Sequence, residues 1–350
     1  MQLSEANLDA ILKGTSRAFY LSLAVLPRGA AKPMSLAYLL ARAADTIADT
    51  PANSQWSRRD LLLAFRKSVV GPEPWCREPY ETDFRRLIAS LSERSSEKRL
   101  LQSTPRLVAI LRERPEPERE PIRRVVSTLI DGMIWDQQLF DRAHGAERNA
   151  SDGTEPHAGE GLADRELERY TYLVAGCVGP FWSEVCALAE PELRHLLDQH
   201  EMATEFGKGL QWVNILRDVP EDQRIGRYYL PDLRAERFRA RFANRSRRAL
   251  HALRLASRYP LLFPRLHLRH RMAVFWPLVL GLRTLERLFR DGGPRPDRRS
   301  KVARWEVLGW VALSPLIVVS DTLLAAVLDT LWRRAEQALS TLEATYATDS

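Results

Sequence analysis

Residues 206–231 read FGKGLQWVNILRDVPEDQRIGRYYLP, with polar side chains recurring every three or four positions between apolar ones. On a helix of about 3.6 residues per turn, Gln211, Asn214, Asp218 and Asp222 fall in one wedge, with Arg217 and Glu221 beside it. Asp218 and Asp222 stand four apart with no lysine between them, so their charges repel unless a cation lies there. A hard divalent ion bridging to phosphate oxygens meets that need better than one lysine. The plain alternative is a solvated acidic face.

A second pair has the same spacing. In LAYLLARAADTIADT, Asp45 and Asp49 are again four apart, preceded on the same side by Arg42 and Tyr38. Leu36, Leu39, Leu40, Ala43, Ala44 and Ile47 flank them, which predicts a helix buried nearly all round with its aspartates turned into an interior cavity. Two such helices facing one cavity would hold several magnesium ions. Magnesium keeps waters and binds through few carboxylates plus substrate phosphates, so a diphosphate substrate is expected.

These residues resemble the squalene and phytoene synthases, which join two prenyl diphosphates head to head. The resemblance rests on Ser16-Arg17-Ala18-Phe19, on Tyr38, Arg42 and the DTIAD segment, on YTYLVAGCVG at 170–179, and on NILRDVPED and GRYYLP; it covers about residues 12–235. Ala18 departs from the serine many relatives carry, and Pro220 sits between the second pair of aspartates. That proline removes a hydrogen bond to the Leu216 carbonyl and predicts a kink that would shift Asp222. The resemblance implies an all-α, single-domain isoprenoid synthase bundle with a central cavity. It assigns the metal to Asp45, Asp49, Asp218 and Asp222, and the diphosphates to Ser16, Arg17, Tyr38, Arg42, Gln211, Asn214, Arg217 and Arg227. It also places Tyr170 beside the reacting carbons, where a phenol can guide a proton or face a carbocation. Lys301 and Arg304 resemble the basic residues that reductase-active relatives use near an NADPH phosphate. No Gly-x-Gly-x-x-Gly follows a strand pattern, so NADPH would bind outside a Rossmann unit.

The expected activity is condensation of two farnesyl diphosphates through a cyclopropyl (presqualene) diphosphate, with NADPH-dependent reduction to squalene. A phytoene, dehydrosqualene or hydroxysqualene product without hydride transfer stands as the alternative. An inactive membrane scaffold is the rival from another class, and the intact aspartate pairs argue against it.

Leu, Ala, Arg and Glu dominate long segments of helical period, and no linker splits the 350 residues, so one all-α domain is expected: a catalytic part over 1–300 and an apolar helical extension over 301–350. Cys76, Cys177 and Cys186 lack C-x-x-C spacing and read as reduced. MQLSEANLDAILKG has no basic region followed by an apolar run, so a cytoplasmic protein is expected.

The net charge is +7, and all but six of the 52 basic residues are arginine. Residues 224–271 hold fourteen arginines against Asp232 and Glu236. Aromatic interleaving is missing, so nucleic acid is not expected as a partner. A solvated basic surface and attraction to anionic lipid both remain open.

Along the chain, helices are expected over about 5–18 and 31–50, separated by the apolar FYLSLAVLPRG. Two or three amphipathic helices follow over 57–112, broken at GPEPW, and RPEPEREP at 114–121 reads as a turn. Residues 122–142 form a helix whose Asp131, Gly132, Met133, Asp136 and Gln137 make a mixed face. Residues 144–160 carry almost no apolar side chain and read as a mobile loop, either a lid or a disordered insertion. His144 and His157 lack ligand spacing. A helix over 275–289 has Pro277 in its first turns, and 291–299 is a basic connector. Finally, 307–328 is apolar apart from Asp321 and interrupted by Pro315. Two helices that partly cover the core and partly touch a membrane surface are expected there, rather than a span. Peripheral association with the inner membrane follows.

Overall fold

The computed structural model describes residues 11–15, 19–50, 57–72, 80–93, 95–149 and 160–348, and of 141–149 the backbone alone. After a helical turn at 11–15 come α1 (Phe19–Val25), α2 (Arg28–Asp49), α3 (Arg58–Val70), α4 (Tyr80–Ser90), α5 (Ser96–Glu113) and α6 (Glu116–Asn149). Then follow α7 (Asp164–Thr171), a π-turn (Tyr172–Gly176), α8 (Val178–Ala189), a 3-10 segment (Pro191–Gln199), α9 (His200–Arg224), α10 (Phe238–Ala256), α11 (Leu268–Arg290), α12 (Arg304–Val318) and α13 (Asp321–Thr348). Among the described residues there is no strand; one isolated bridge, Arg295 with Arg298, closes a turn after α11. The fold is all-α, as the spacing predicts.

The chain forms two compact units. The first comprises residues up to Gln137 with Phe181–Asp198. In it α2 packs on α3 and α5, burying Leu36, Leu40, Ala43 and Ile47 with Leu61, Phe65, Leu100 and Leu107. Ser57 and Asp60 form a reciprocal capping box at the start of α3, and Ser95 caps α5. The second unit comprises Gln138–Pro180 and Gln199–Ser350. There α9 lies along α10, α11 lies along α13, and Trp212, Phe242, Phe275 and Phe289 are fully buried. Residues 301–348 pack within this unit, with α12 and α13 on α11.

Several boundaries differ from expectation. The apolar segment after residue 18 is helical as α1, with Leu23 and Leu26 buried. The expected turn at 114–121 shrinks to its first residues. Pro115 accepts the opening hydrogen bonds of α6 from Glu118 and Arg119 (3.1 and 2.9 Å), and Pro117 sits where a backbone N–H has no helical partner to lose. At the far end α6 runs on through His144 to Asn149, so the expected loop does not begin at 144; residues 150–159, with His157, lie outside the described residues. Cys76 does too. Helix α11 begins at Leu268, which puts Pro277 in its interior. Pro315 lies inside α12 rather than breaking it, because the Val311 carbonyl it leaves without an N–H accepts instead from Ser314 Oγ at 2.8 Å. The break comes at 319–320, where Ser320 starts α13 through its carbonyl and hydroxyl, bonded by Leu324 and Leu323 N–H (2.9 and 3.3 Å). Pro220 likewise leaves α9 helical to Arg224, so Asp222 keeps its helical position. Among the described residues one helical run, 164–189, is long and apolar enough to cross a membrane by length and composition.

Candidate active site

In the first unit, α2 buries nearly every side chain from Pro33 to Ala48, while Tyr38, Arg42, Asp45 and Asp49 make a stripe that stays partly open. The spacing predicts these aspartates turned from water; instead Asp49 is exposed and the Asp45 side chain is 40% exposed. The reason is that α3 and α5 cover the other faces of the helix. Arg42 pairs with Asp45 and lies 3.6 Å from Glu97. Burial opposes its charge, but Asp45, Tyr38 and Glu97 hold its pKa above the ordinary guanidinium value. Tyr38 Oη donates to the Thr15 carbonyl at 3.3 Å, just before Ser16 and Arg17, which lie outside the described residues. The end of α2 is fixed through the Ala48 carbonyl, which accepts from Gln137 Nε2 (3.3 Å) and Arg58 (3.4 Å). An otherwise orphaned terminal carbonyl is thereby satisfied one residue before Asp49. Asp131, on the mixed face of α6, pairs with Arg66.

In the second unit, α9 presents its wedge as expected: Asn214 and Glu221 are exposed, and Gln211, Arg217, Asp218 and Asp222 are half-buried. Asn214 donates to Gln211 at 3.3 Å. Asp218 is clamped by two guanidinium groups. Arg217 reaches it at 2.7 and 2.6 Å, and Arg299, from the connector after α11, at 2.8 and 2.7 Å; Arg299 also lies 3.4 Å from Glu221. Arg227 follows on the turn made by Gly226 (φ +79°), its N–H donating to the Asp222 carbonyl at 2.8 Å. Gln223 fastens the segment beyond, donating to Pro231 O at 2.8 Å and accepting from Leu233 N–H at 3.2 Å.

Tyr170 is buried in the second unit. Its hydroxyl is 2.9 Å from that of Tyr229, and the two rings stack at 4.8 Å. Phe140 meets Tyr229 edge-on at 5.3 Å. Tyr229 is therefore a buried partner of Tyr170, whereas Tyr172 is exposed. The π-turn after Tyr172, closed by Cys177 N–H on the Tyr172 carbonyl at 2.9 Å, brings Ala175–Gly176 and Gly179 against α9. There is no space at these crossings. A Cβ on Gly179 would sit 1.8 Å from Ala203 O, and one on Gly207 2.2 Å from Ala175 O. The small residues thus serve close helix approach. Cys177 and Cys186 are buried free thiols, and burial pushes Cys177 up to about 12.

Behind Tyr170, an ion cluster of Glu168, Glu205, Lys208 and Arg248 ties α7, α9 and α10 together. Lys208 lies 2.9 Å from Glu205, and Arg248 lies 2.7 and 2.8 Å from Glu168 and Glu205. Burial alone would raise both glutamates, yet the hydrogen bonds from Arg248 and Lys208 hold them below the usual carboxylate range. The sequence offered one sign of this, Lys208 three residues after Glu205 and so one helical turn away. The arginine-rich run is largely consumed in the same way. Eight of its fourteen arginines, 237, 241, 245, 247, 248, 254, 265 and 271, meet carboxylates from elsewhere in the unit.

Lys301 and Arg304 are exposed at the end of the connector, and the Lys301 carbonyl accepts from Arg287 at 3.0 Å. Here Arg287, Arg290, Arg298, Arg299 and Lys301, with Asp291 and Ser300, line a cavity of about 230 Å³. Three of these cations already meet carboxylates, Arg287 with Glu306, Arg290 with Glu286 and Arg299 with Asp218, and Asp291 accepts from Ser300 at 2.8 Å, so the lining is only mildly basic.

The squalene/phytoene synthase family model matches residues 12–306. The chain belongs to this family. It is 28% identical over 222 residues to the bifunctional lycopene cyclase/phytoene synthase of Blakeslea trispora, covering 63% of this chain and 31% of that protein. It is also 26% identical over 220 residues to the squalene synthase of Bos taurus, covering 63% and 45%. The chain thus spans less than half of the length of these curated relatives. Among solved structures, a ligand complex of TcSQS superposes with a TM-score of 0.68 at 18% identity, over 95% of this chain and 98% of that one. At that identity the likeness establishes the fold.

Proposed function

We propose that this enzyme is a prenyltransferase that joins two farnesyl diphosphates head to head through a cyclopropyl diphosphate and, with hydride from NADPH, releases squalene. The observation that carries the reading is that each Asp-x-x-x-Asp pair lies on the partly open stripe of a largely buried helix, with guanidinium groups already drawn to its leading carboxylate. Carboxylate oxygens at Asp45, Asp49, Asp218 and Asp222 are the hard donors that magnesium takes, and those arginines occupy the electrostatic position of a cation. When bound, magnesium supplies charge stabilisation to the leaving diphosphate. Ser16, Arg17, Tyr38, Arg42, Gln211, Asn214, Arg217 and Arg227 bind and orient the diphosphates. Guanidinium and hydroxyl donors are suited to the charge that develops as the allylic carbon–oxygen bond breaks. Tyr170, with its hydroxyl held by Tyr229, guides the proton lost when the cyclopropane closes.

The basic cavity supports NADPH as the reductant: Lys301 and Arg298 of its lining, with Arg304 outside the lining and three residues on, would hold its phosphate, and the cofactor would supply hydride. Residues 1–300 carry catalysis and 301–350 form a helical extension, with the enzyme attached peripherally at a membrane surface.

The test is to incubate the purified protein with magnesium and farnesyl or geranylgeranyl diphosphate, with and without NADPH, and identify the hydrocarbon. Squalene formed from farnesyl diphosphate only with NADPH is expected. Phytoene, dehydrosqualene or hydroxysqualene would replace the product assignment. Asp45→Asn and Asp218→Asn should each lower turnover by roughly 10²-fold with folding retained, as for loss of a main electrostatic stabiliser; near-normal rates in both would sink the metal assignment.

A further inference from the structure

Helix α12 is built inside out. Its buried face carries Glu306, Ser314, Ile317 and Val318, with Glu306 paired to Arg283 and Arg287 of α11. Its outer face carries Trp305, Leu308, Ala312 and Leu316 and continues to Val319, spaced three or four residues apart, with Leu313 beside the stripe. Trp305 is 75% exposed, Leu308 68% and Leu316 69%. A Cβ on Gly309 would meet nothing within 4 Å. Six of the twelve large apolar side chains exposed among the described residues fall between Trp305 and Leu323, so the patch is concentrated rather than scattered. Leu266, 90% exposed, extends it, since its neighbour Arg265 holds Asp321 at 2.7 Å where α13 begins.

Charge identifies the occupant. Both carboxylates along this stretch are neutralised, Glu306 by Arg283 and Arg287, and Asp321 by Arg265 and Arg271. Exposed cations stand at the start of the stripe, Lys301 and Arg304, the pair that the NADPH reading also uses. An apolar strip headed by cations, with both of its carboxylates paired, matches the interface of an anionic bilayer, where leucines enter the acyl region and Lys and Arg meet the head groups. The fifteen residues of α12 span about 22 Å, short of the roughly 30 Å hydrocarbon core, so the helix lies in the membrane plane. We propose that the outer face of α12 is the surface by which this enzyme docks on an anionic lipid bilayer. This rests on the peripheral-attachment reading above, narrows the expected contact of 307–328 to the outer face of α12, and leaves out the arginine-rich run, whose charges are largely paired.

The experiment is co-sedimentation of the full chain with vesicles of phosphatidylglycerol and phosphatidylcholine, against vesicles of phosphatidylcholine alone. Leu308→Asp and Leu316→Asp add charge at exposed positions; each should keep the wild-type melting curve and weaken binding to the anionic vesicles by roughly tenfold or more. Leu188→Asp, at an exposed leucine elsewhere, should bind as wild type does. Wild type that fails to bind anionic vesicles overturns peripheral attachment itself. Wild-type affinity in both α12 variants overturns only the assignment of this face. A concentration-dependent dimer of lipid-free wild type that Leu308→Asp abolishes would assign the face to a second copy of the chain instead.

Discussion

Asp218 makes four charge-assisted contacts with two guanidinium groups, one from its sequence neighbour and one from 81 residues away. A cation arriving at that carboxylate must compete with both. Arg217 turns with the helix, but Arg299 sits on a connector that opens with two glycines at positive φ, Gly292 and Gly293, and can be displaced. Arg299→Gln should therefore tighten magnesium binding to the substrate-free protein by roughly two- to fivefold, the scale of one partly exposed ion pair. Titration calorimetry would read this, and unchanged or weaker binding would show that Arg299 is no competitor. The pairing could not be read from the sequence, because local spacing says nothing about contacts between distant segments. Glu97 beside Arg42, Tyr229 on Tyr170 and Gln223 on the following loop were hidden for the same reason. Asp45, Asp49, Asp218 and Asp222 were legible because each pair needs only the helical repeat to share a face.

Among the elements, α2 and α9 were legible from their mixed faces, and α1 and the start of α6 were not. FYLSLAV is apolar all round and offers no period, and prolines read as turn signals also fit a first helical turn. The 170–189 segment has a helical pattern, but nothing in it marks where five residues form a π-turn. The crossing it makes with α9 is the tightest consequence of the glycines. Gly207→Ala would gain about 1 kcal/mol of helix propensity, yet its methyl would lie 2.2 Å from the Ala175 carbonyl oxygen, a backbone atom that cannot rotate aside. The variant should lose about 1–3 kcal/mol overall, as overpacked helix contacts do. Gly281→Ala meets side-chain atoms, of Leu210, Val213 and Leu253 at 3.2, 3.6 and 3.9 Å, and should melt near wild type. Equal melting temperatures for the two would refute the close approach.

At the scale of the whole molecule, an arginine-rich chain with 45 acidic residues is held in large part by ion pairs that join elements far apart in sequence. Arg245 reaches Asp164, Arg254 reaches Asp329, Arg271 reaches Asp321, and Arg248 with Lys208 gathers Glu168 and Glu205. Hydrogen bonds from Arg245, Arg265 and Arg254 lower Asp164, Asp321 and Asp329; at Glu168, Glu205 and Glu306 burial pulls upward but the arginine contacts prevail. Folded values below the unfolded ones mean that the unfolded chain takes up protons first on acidification. The stabilisation is therefore complete at neutral pH and is lost as pH falls from about 4 through the lower folded values. Thermal unfolding followed by circular dichroism should show a melting temperature level down to about pH 5 that then drops steeply. Glu205→Gln, which leaves Lys208 and Arg248 with Glu168 alone, should lose roughly 3 kcal/mol at neutral pH, as when a buried pair is broken, and show a shallower acid limb because one depressed carboxylate is gone. A variant whose acid limb runs parallel to wild type would mean that this cluster does not set the acid stability of the fold.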